Sequence, residues 1–259
     1  MYRLVIDIGN TNVVVGLFKD QTLKDHLRLA TRTSTTDDEA GLFISDFLRR
    51  MGLSNEDVED VVLASVVPAL TPVYESTSKR HFGCQPIIVS HKLKLPVKIA
   101  IDHPDQVGAD RIANAVAGYS RFGGPVIVID FGTAINFDIV DKDANYIGGV
   151  LLPGPKTAME DLARRAARLF EVRIEPPDSV VGKSTAGALK SGLFYGTVGQ
   201  IDFLVDKIIE ETKFRNPTVV ATGGLAHGIQ NHSRHISLIE PTLTLEGLRI
   251  IGEMNASPQ

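Results

Sequence analysis

Apolar residues along this chain follow two patterns, short runs typical of strands and positions three or four apart typical of helices. The short runs predict eight strands, at residues 2–6, 12–18, 61–66, 86–89, 126–130, 135–140, 146–150 and 218–222. Helical spacing predicts four helices, from a capping box at Thr36 to Gly52 and over residues 108–119, 184–213 and 245–254. Glycines in the third predicted helix, over residues 184–213, predict that this helix is interrupted at least once. Strands mixed with helices in this way indicate an α/β fold.

The two halves of the sequence repeat each other. Val5–Thr11 is echoed by Val128–Ala134, each an apolar strand that ends in Asp-x-Gly and a small polar residue. A second pair of strands, at 61–65 and 218–222, follows in the same order. We therefore expect an ancient duplication, with one domain over residues 1–115, a second over 116–259, and a hairpin after each Asp-x-Gly strand.

Composition narrows the classes of partner. Lys and Arg number 27 against 31 Asp and Glu, and a net charge of −4 gives no general attraction to nucleic acid or to an anionic membrane. No uncharged run reaches the roughly 18 apolar residues of a membrane span. Cys84 is the only cysteine, which excludes an internal disulfide and a cysteine-built zinc site. We expect a cytoplasmic protein without nucleic-acid or membrane partners.

The repeated Asp-x-Gly turns are the first candidate for chemistry. A glycine directly after a strand lets backbone amides point at an anion, and a carboxylate beside it can hold Mg²⁺ through water. One isolated copy is better explained as an ordinary hairpin turn, but two copies at corresponding strand ends favour phosphate binding from two sides. The candidate nucleotide ligands are Asp7, Gly9, Asn10 and Thr11 in the first turn and Gly132 and Thr133 in the second, which begins with Asp130.

Two further glycine segments carry weaker signals. Thr222, Gly223 and Gly224 follow an apolar strand, where small residues would let an adenosine lie on the backbone, although a tight turn is the commoner explanation. Gly182-Lys-Ser resembles the end of a Walker A motif, but Pro177 stands where that motif needs glycine. We expect Ser184 or Thr185 to cap the long helix instead.

The segment Gly108-Ala109-Asp110-Arg111 lies at a predicted strand-to-helix junction. Asp110 could act as a base for an alcohol and Arg111 as a cation for an anionic oxygen, which are the groups that phosphoryl transfer needs. The competing interpretation is an ordinary first helical turn with an acidic residue near the positive end of the dipole. The residues alone leave these two interpretations equally supported.

Seven motifs together resemble the type III pantothenate kinases, a family of the acetate and sugar kinase, heat-shock chaperone and actin superfamily. The motifs occur in the family's order over nearly the whole chain. They are Asp7-x-Gly-Asn-Thr, Val107-Gly-Ala-Asp-Arg-Ile, Asp130-x-Gly-Thr-Ala, Gly148-Gly-Val-Leu-Leu-Pro-Gly154, Gly182-Lys-Ser-Thr185, Ala221-Thr-Gly-Gly-Leu and Leu243-Thr-Leu-Glu-Gly-Leu248. The set is specific, whereas each motif alone is not.

The resemblance implies two RNase H-like (actin-like ATPase) domains with ATP in the cleft between them, a homodimer, and phosphorylation of pantothenate to 4'-phosphopantothenate, the first step toward coenzyme A. It implies ATP and Mg²⁺ as cofactors, with Asp7 holding Mg²⁺ through water, and a monovalent cation, K⁺ or NH₄⁺, at Asp130. Asp110 would be the catalytic base. The substrate site would include Ile101, Gly108, Ala109, Asp110, Arg111 and, across the dimer, Thr185.

The sequence departs from the family pattern at two places. Ile135 and Asn136 follow Ala134, where the family usually has two threonines, and Ile101 replaces a tyrosine that commonly lines the substrate pocket. Two other functions compete with the leading one: another hydroxyl kinase of the superfamily, and a regulatory or chaperone-like protein that hydrolyses ATP slowly and signals by domain closure. Asp110 and Arg111 discriminate, because a pure switch needs no base aimed at a second substrate.

Overall fold

The computed structural model describes residues 1–166 and 168–256 and divides the chain into two compact units. The first consists of Met1–Arg121 together with the segment that begins at Thr242, and the second is Phe122–Pro241. The duplication predicts domains 1–115 and 116–259 instead. The C-terminal segment groups with the first unit because its helix packs against two strands of that unit.

The first unit is built around a mixed sheet with strand order β3-β2-β1-β4-β5. β1 and β2 form an antiparallel hairpin, whereas β4 and β5 continue the sheet in parallel from β1. The elements are β1 (Tyr2–Ile8), β2 (Asn12–Lys19), β3 (Thr22–Ala30), α1 (Asp37–Arg50), β4 (Val58–Ser65), α2 (Thr71–Phe82), β5 (Ile87–Ile88), β6 (Lys98–Ile99), α3 (Ala109–Phe122) and, at the end of the chain, α7 (Leu243–Asn255).

Helices cover the first sheet. Apolar residues of β1, β2 and β4 pack against α1 and α2 in one fully buried cluster. The last helix, α7, approaches β1 and β4 closely, since a Cβ on Gly252 would lie 2.7 Å from the side chain of Val62. Arg3, which is 1% exposed, donates to both carboxylate oxygens of Asp60 and to the carbonyl of Arg249 on α7. A partly buried ion pair thus joins β1 to β4, and a buried hydrogen bond joins β1 to the C-terminal helix.

The second unit repeats this plan. Its sheet runs in the order β11-β10-β7-β8-β9, with an antiparallel β7-β8 hairpin and β10 parallel to β7. The long helix α5 packs on one face through Phe194, Ile201 and Val205. The elements are β7 (Val126–Phe131), β8 (Ala134–Val140), β9 (Asn145–Pro153), α4 (Pro155–Arg165), α5 (Thr185–Thr212), β10 (Thr218–Gly223), α6 (Ala226–Gln230) and β11 (Leu238–Ile239).

The predicted fold class is confirmed: each unit holds its own mixed sheet, and a hairpin follows each Asp-x-Gly strand. The predicted interruption of the third helix is wrong, because α5 is continuous over 28 residues. Its glycines at 192, 196 and 199 sit where a Cβ would meet nothing within 4 Å. They therefore lower helix propensity without breaking the helix.

Candidate active site

The first Asp-x-Gly turn closes the β1-β2 hairpin. The N–H of Gly9 donates to the carbonyl of Asn12 at 3.0 Å, and Asn10 and Thr11 are exposed at the tip. The hydroxyl of Thr31, at the end of the neighbouring strand β3, donates to the carbonyl of Gly9 at 2.6 Å. This anchored turn presents Asp7, the second-last residue of β1, at the carboxyl edge of the sheet.

The start of α3 lies at the same edge of the first sheet. The N–H of Val66, directly after β4, donates to the carbonyl of Ile8 at 3.0 Å. A Cβ on Gly108 would lie 3.4 Å from the Val66 side chain, so the residues before α3 pack on the end of β4. The strand ends of β1 and β4 and the N-terminus of α3 therefore bring the Asp7 turn and the Gly108–Arg111 segment to one edge.

Asp110 occupies the first turn of α3 with its carboxylate folded back. Its Oδ1 accepts the backbone N–H of Arg111 at 2.8 Å. Burial raises the pKa of Asp110 above the ordinary 3.8, and the Arg111 N–H and guanidinium only partly oppose this effect. A raised pKa strengthens the carboxylate as a base near neutral pH, which is the property that a proton acceptor for an alcohol needs. Arg111 itself is partly buried and Ala109 buried beside it.

The second Asp-x-Gly turn closes the β7-β8 hairpin with one residue fewer than the first. The N–H of Gly132 donates to the carbonyl of Ala134 at 2.9 Å, and Gly132 and Thr133 are exposed at the tip. The carbonyl of Thr133 accepts from the N–H of Gly154 at 2.9 Å and from the hydroxyl of Thr157 at 2.7 Å. The start of α4 thus holds this turn.

Asp130 and Thr222 are register partners on the parallel strands β7 and β10. Thr222 is buried, and Gly223 follows at a φ of +88°. A Cβ on Gly223 would lie 2.5 Å from the carbonyl oxygen of Phe131, so this position has no room for a side chain. The Thr222-Gly223-Gly224 segment therefore lies beside the Asp130 turn, with Gly224 exposed.

The remaining predicted residues lie on separate segments. Thr185 is the first residue of α5 and is exposed, and the preceding Ser184 caps the helix by accepting the N–H of Gly187 at 3.1 Å. Of the two residues proposed as the cap, Ser184 is the one that forms the bond. Ile101 is partly buried in the segment between β6 and α3.

Sequence reasoning missed the residues that hold the turns in place. Thr31, Gly154 and Thr157 contact backbone atoms of the two turns, yet none was a candidate. The sequence does mark Gly154, because it precedes Pro155 at the first position of a helix. In the structure, a Cβ on Gly154 would lie 2.5 Å from the carbonyl oxygen of Gly132, so only glycine fits there. Thr31 had none, because its contact depends on how β3 returns to the first turn.

The donor set fits a nucleotide-bound metal better than a protein-built metal cage. No cluster of three His, Cys, Asp or Glu side chains able to hold a metal ion occurs among residues 1–166 and 168–256. Mg²⁺ takes few carboxylates and keeps several waters, so Asp7 and the phosphates of a nucleotide would suffice. No helix in the described part of the chain has the length and apolarity that a membrane crossing requires.

The two mixed sheets with their paired Asp-x-Gly hairpins define an α/β protein whose two units share one plan. Three solved structures share this fold. A Campylobacter jejuni protein described as a Baf family transcriptional activator is 22% identical, with 97% of this chain and 98% of that one covered and a TM-score of 0.59. The activator of 2-hydroxyisocaproyl-CoA dehydratase from Clostridium difficile is 14% identical, with 98% of this chain and 96% of that one covered and a TM-score of 0.57. The ethanolamine utilization protein EutJ from Carboxydothermus hydrogenoformans is 12% identical, with 97% of this chain and 90% of that one covered and a TM-score of 0.59.

The type III pantothenate kinase family model matches residues 3–207. The chain belongs to this family. The predicted kinase function is thereby confirmed at the level of the family: phosphorylation of pantothenate at the expense of ATP, in coenzyme A biosynthesis.

Proposed function

We propose that the chain transfers the γ-phosphoryl group of ATP directly to the primary hydroxyl of pantothenate, with Asp110 as the group that orients and deprotonates this hydroxyl. The observation that carries the proposal is the partly buried carboxylate of Asp110, which has a raised pKa and lies at the same edge of the first sheet as the Asp7 turn. Positioning and electrostatic stabilisation provide most of the rate acceleration in phosphoryl transfer, so one well-placed carboxylate suffices.

The nucleotide is assigned to the glycine turns. Backbone amides of the exposed turns at residues 9–11 and 132–133 bind phosphates, while Thr222, Gly223 and Gly224 accommodate the adenosine. Asn10, Thr11 and Thr133 add side-chain donors at the exposed tips of the turns. Arg111 binds an anionic oxygen next to Asp110, and Gly108, Ala109 and Ile101 line the pantothenate site.

Two ions complete the proposed site. Asp7 would hold Mg²⁺ through water, and bound Mg²⁺ neutralises charge on the β and γ phosphates. Asp130 would hold a monovalent cation, K⁺ or NH₄⁺. Because Asp7 offers a single carboxylate, tight Mg²⁺ binding should require ATP. Calorimetric detection of tight Mg²⁺ binding to the nucleotide-free protein would contradict this assignment.

A homodimer in the cytoplasm is the proposed working form. Thr185 and the exposed start of α5 would then complete the substrate site of the partner subunit. Exposed apolar side chains next to and along α5, Val180, Val181 and Phe203, support an interface in this region. Light scattering of an active preparation should give twice the chain mass of 28.1 kDa. A mass of one chain would contradict the dimer.

The experiment that tests the function is a coupled assay of ADP formation with and without pantothenate. The proposal predicts that turnover depends on pantothenate and that phosphopantothenate forms in equal amount. Slow ATP hydrolysis that pantothenate leaves unchanged would instead favour the nucleotide-dependent switch. Faster turnover with a different small alcohol would favour another hydroxyl kinase of the superfamily.

A further inference from the structure

An amide oxygen in the second unit is buried without a hydrogen-bond donor. It is Oδ1 of Asn136 on β8, which no donor in the described part of the chain reaches. Buried polar atoms are nearly always satisfied, and an orphaned one in a well-formed sheet needs a physical reason. Asn136 also stands where the type III family usually has threonine, so this chain places an amide oxygen at a position that a hydroxyl commonly occupies.

Asn136 lies in a row of oxygen-bearing side chains across three strands. Asn136 is the antiparallel register partner of Asp130, and Asp130 is the parallel register partner of Thr222. Register partners project on the same face of a sheet with their Cβ atoms about 5 Å apart. We call Thr222, Asp130 and Asn136 the oxygen row. It lies on the face opposite the apolar cluster that packs on α5.

The chemistry of the oxygen row favours a cation. A carboxylate and an amide oxygen are both acceptors, and two neighbouring acceptors repel each other unless a donor or a cation lies between them. A hydroxyl, an amide oxygen and one carboxylate supply oxygen ligands with a single negative charge. Mg²⁺ prefers waters and carboxylates in strict octahedral geometry, so this mostly neutral set suits a larger ion of charge +1.

We propose that Asn136 supplies an amide oxygen to a monovalent cation held beside Asp130, with the Thr222 hydroxyl as a further ligand. The proposal rests on the cation assigned to Asp130 above and adds two ligands to it. It explains the orphaned oxygen, because the cation satisfies Oδ1. It also explains what asparagine does in place of the family's usual threonine, because an amide oxygen reaches further from the backbone toward the cation than a threonine hydroxyl.

Thermal unfolding of the full chain tests the site without ATP or pantothenate. The wild type is compared in KCl and in N-methylglucamine chloride at equal ionic strength. With K⁺ at about ten times the dissociation constant of the site, the unfolding midpoint should rise by roughly 3–6 °C. Asn136→Leu should abolish this K⁺ increment. In the glucamine salt its midpoint should equal or exceed that of the wild type, because an unsatisfied polar atom has been removed.

Two further variants serve as controls. Asn136→Thr, which restores the residue common in the family and keeps an oxygen, should retain a K⁺ increment. If the leucine variant does not fold, Asn136→Ala, which also removes the amide oxygen, takes its place and should abolish the increment. Asn231→Leu, at an exposed position at the end of α6, should keep the full increment.

Several results would overturn the proposal. A wild type without a K⁺ increment, or an equal increment in Asn136→Leu, would show that Asn136 binds no cation. Equal destabilisation of Asn136→Leu in both salts would mean that its amide group is turned to donate to Asp130 instead. The midpoints are independent of turnover. A K⁺ increment without phosphopantothenate formation would therefore leave this site standing and remove only the proposed kinase function.

Discussion

The Oδ1 atom of Asp110 lies 2.5 Å from the point where a Cβ on Gly108 would be. The carboxylate therefore uses space that only a glycine leaves open. In this position it accepts the N–H of Arg111, which limits how far burial can raise its pKa. Gly108 is thus a positioning residue for the proposed base.

Gly108→Ala should displace the Asp110 carboxylate from the Arg111 N–H. Without this bond the pKa of Asp110 should rise further, so the acid limb of kcat/KM should move to higher pH while kcat falls. The pH profile is the measurement. In the Asp110→Asn background the same alanine should shift nothing. Gly228→Ala, at an exposed site with open space, is the matched control. An unshifted acid limb in Gly108→Ala would contradict the positioning role.

The wild-type pH profile follows from the same carboxylate. Asp110 must be ionised to accept a proton, so activity should fall as pH falls through its pKa. Because burial raises this pKa, the acid limb of kcat/KM should lie above the ordinary aspartate value of 3.8. The limb should disappear in Asp110→Asn. A limb at or below 3.8 would mean that a different group titrates.

Asp37 should make the stability of the fold fall at low pH. It accepts from the Ser76 hydroxyl and from Arg80, and these bonds lower its pKa to about 2. A depressed pKa contributes stability above the unfolded-state value near 4, and this contribution is lost as pH falls toward 2. Denaturant unfolding of Asp37→Asn should therefore show a deficit at pH 6 that shrinks by pH 2. A constant deficit would contradict this linkage.

Asp60 should matter more for stability than any exposed acidic residue. Its removal in Asp60→Ala leaves the guanidinium of Arg3 buried without its counter-charge, which costs about 3–5 kcal/mol. Urea unfolding measures the loss. Asp46→Ala, which breaks exposed pairs with Arg49 and Arg50 on α1, should cost less than about 1 kcal/mol. Similar losses in the two variants would show that the pair of Arg3 and Asp60 contributes no more to the free energy of unfolding than the exposed pairs do.

Periodicity and repetition predicted much of the fold, but not the elements in which apolar and polar residues form no clear pattern. The duplication located both hairpins, and helical spacing located α1, α3, α5 and α7. The strand β3 was missed because its residues are exposed or half-buried and several are charged, so no apolar run marks it. The helix α2 was missed because its sequence, rich in Ser and Thr, shows no clear apolar stripe. Its burial comes from packing against α1.

The candidate site shows the same division. Asp7, Asp110 and Asp130 were recognisable because each stands in a short motif at a strand or helix end. The contact of Thr31 with the first turn depends on where β3 returns to that turn, which local sequence does not encode. The orphaned oxygen of Asn136 likewise appears only when the register of β7 and β8 is known.

Asp110→Asn tests the central claim most directly, because it removes charge and basicity while keeping size and a hydrogen-bond acceptor. Pantothenate-dependent kcat should fall by about 10²–10⁴, the range for a positioned acid or base. ATP affinity should stay near wild type, because the glycine turns bind the phosphates. Stability at pH 7 should be no lower, since the ionised form of a buried carboxyl with a raised pKa disfavours folding. Near-normal turnover in a well-folded Asp110→Asn protein would contradict the account.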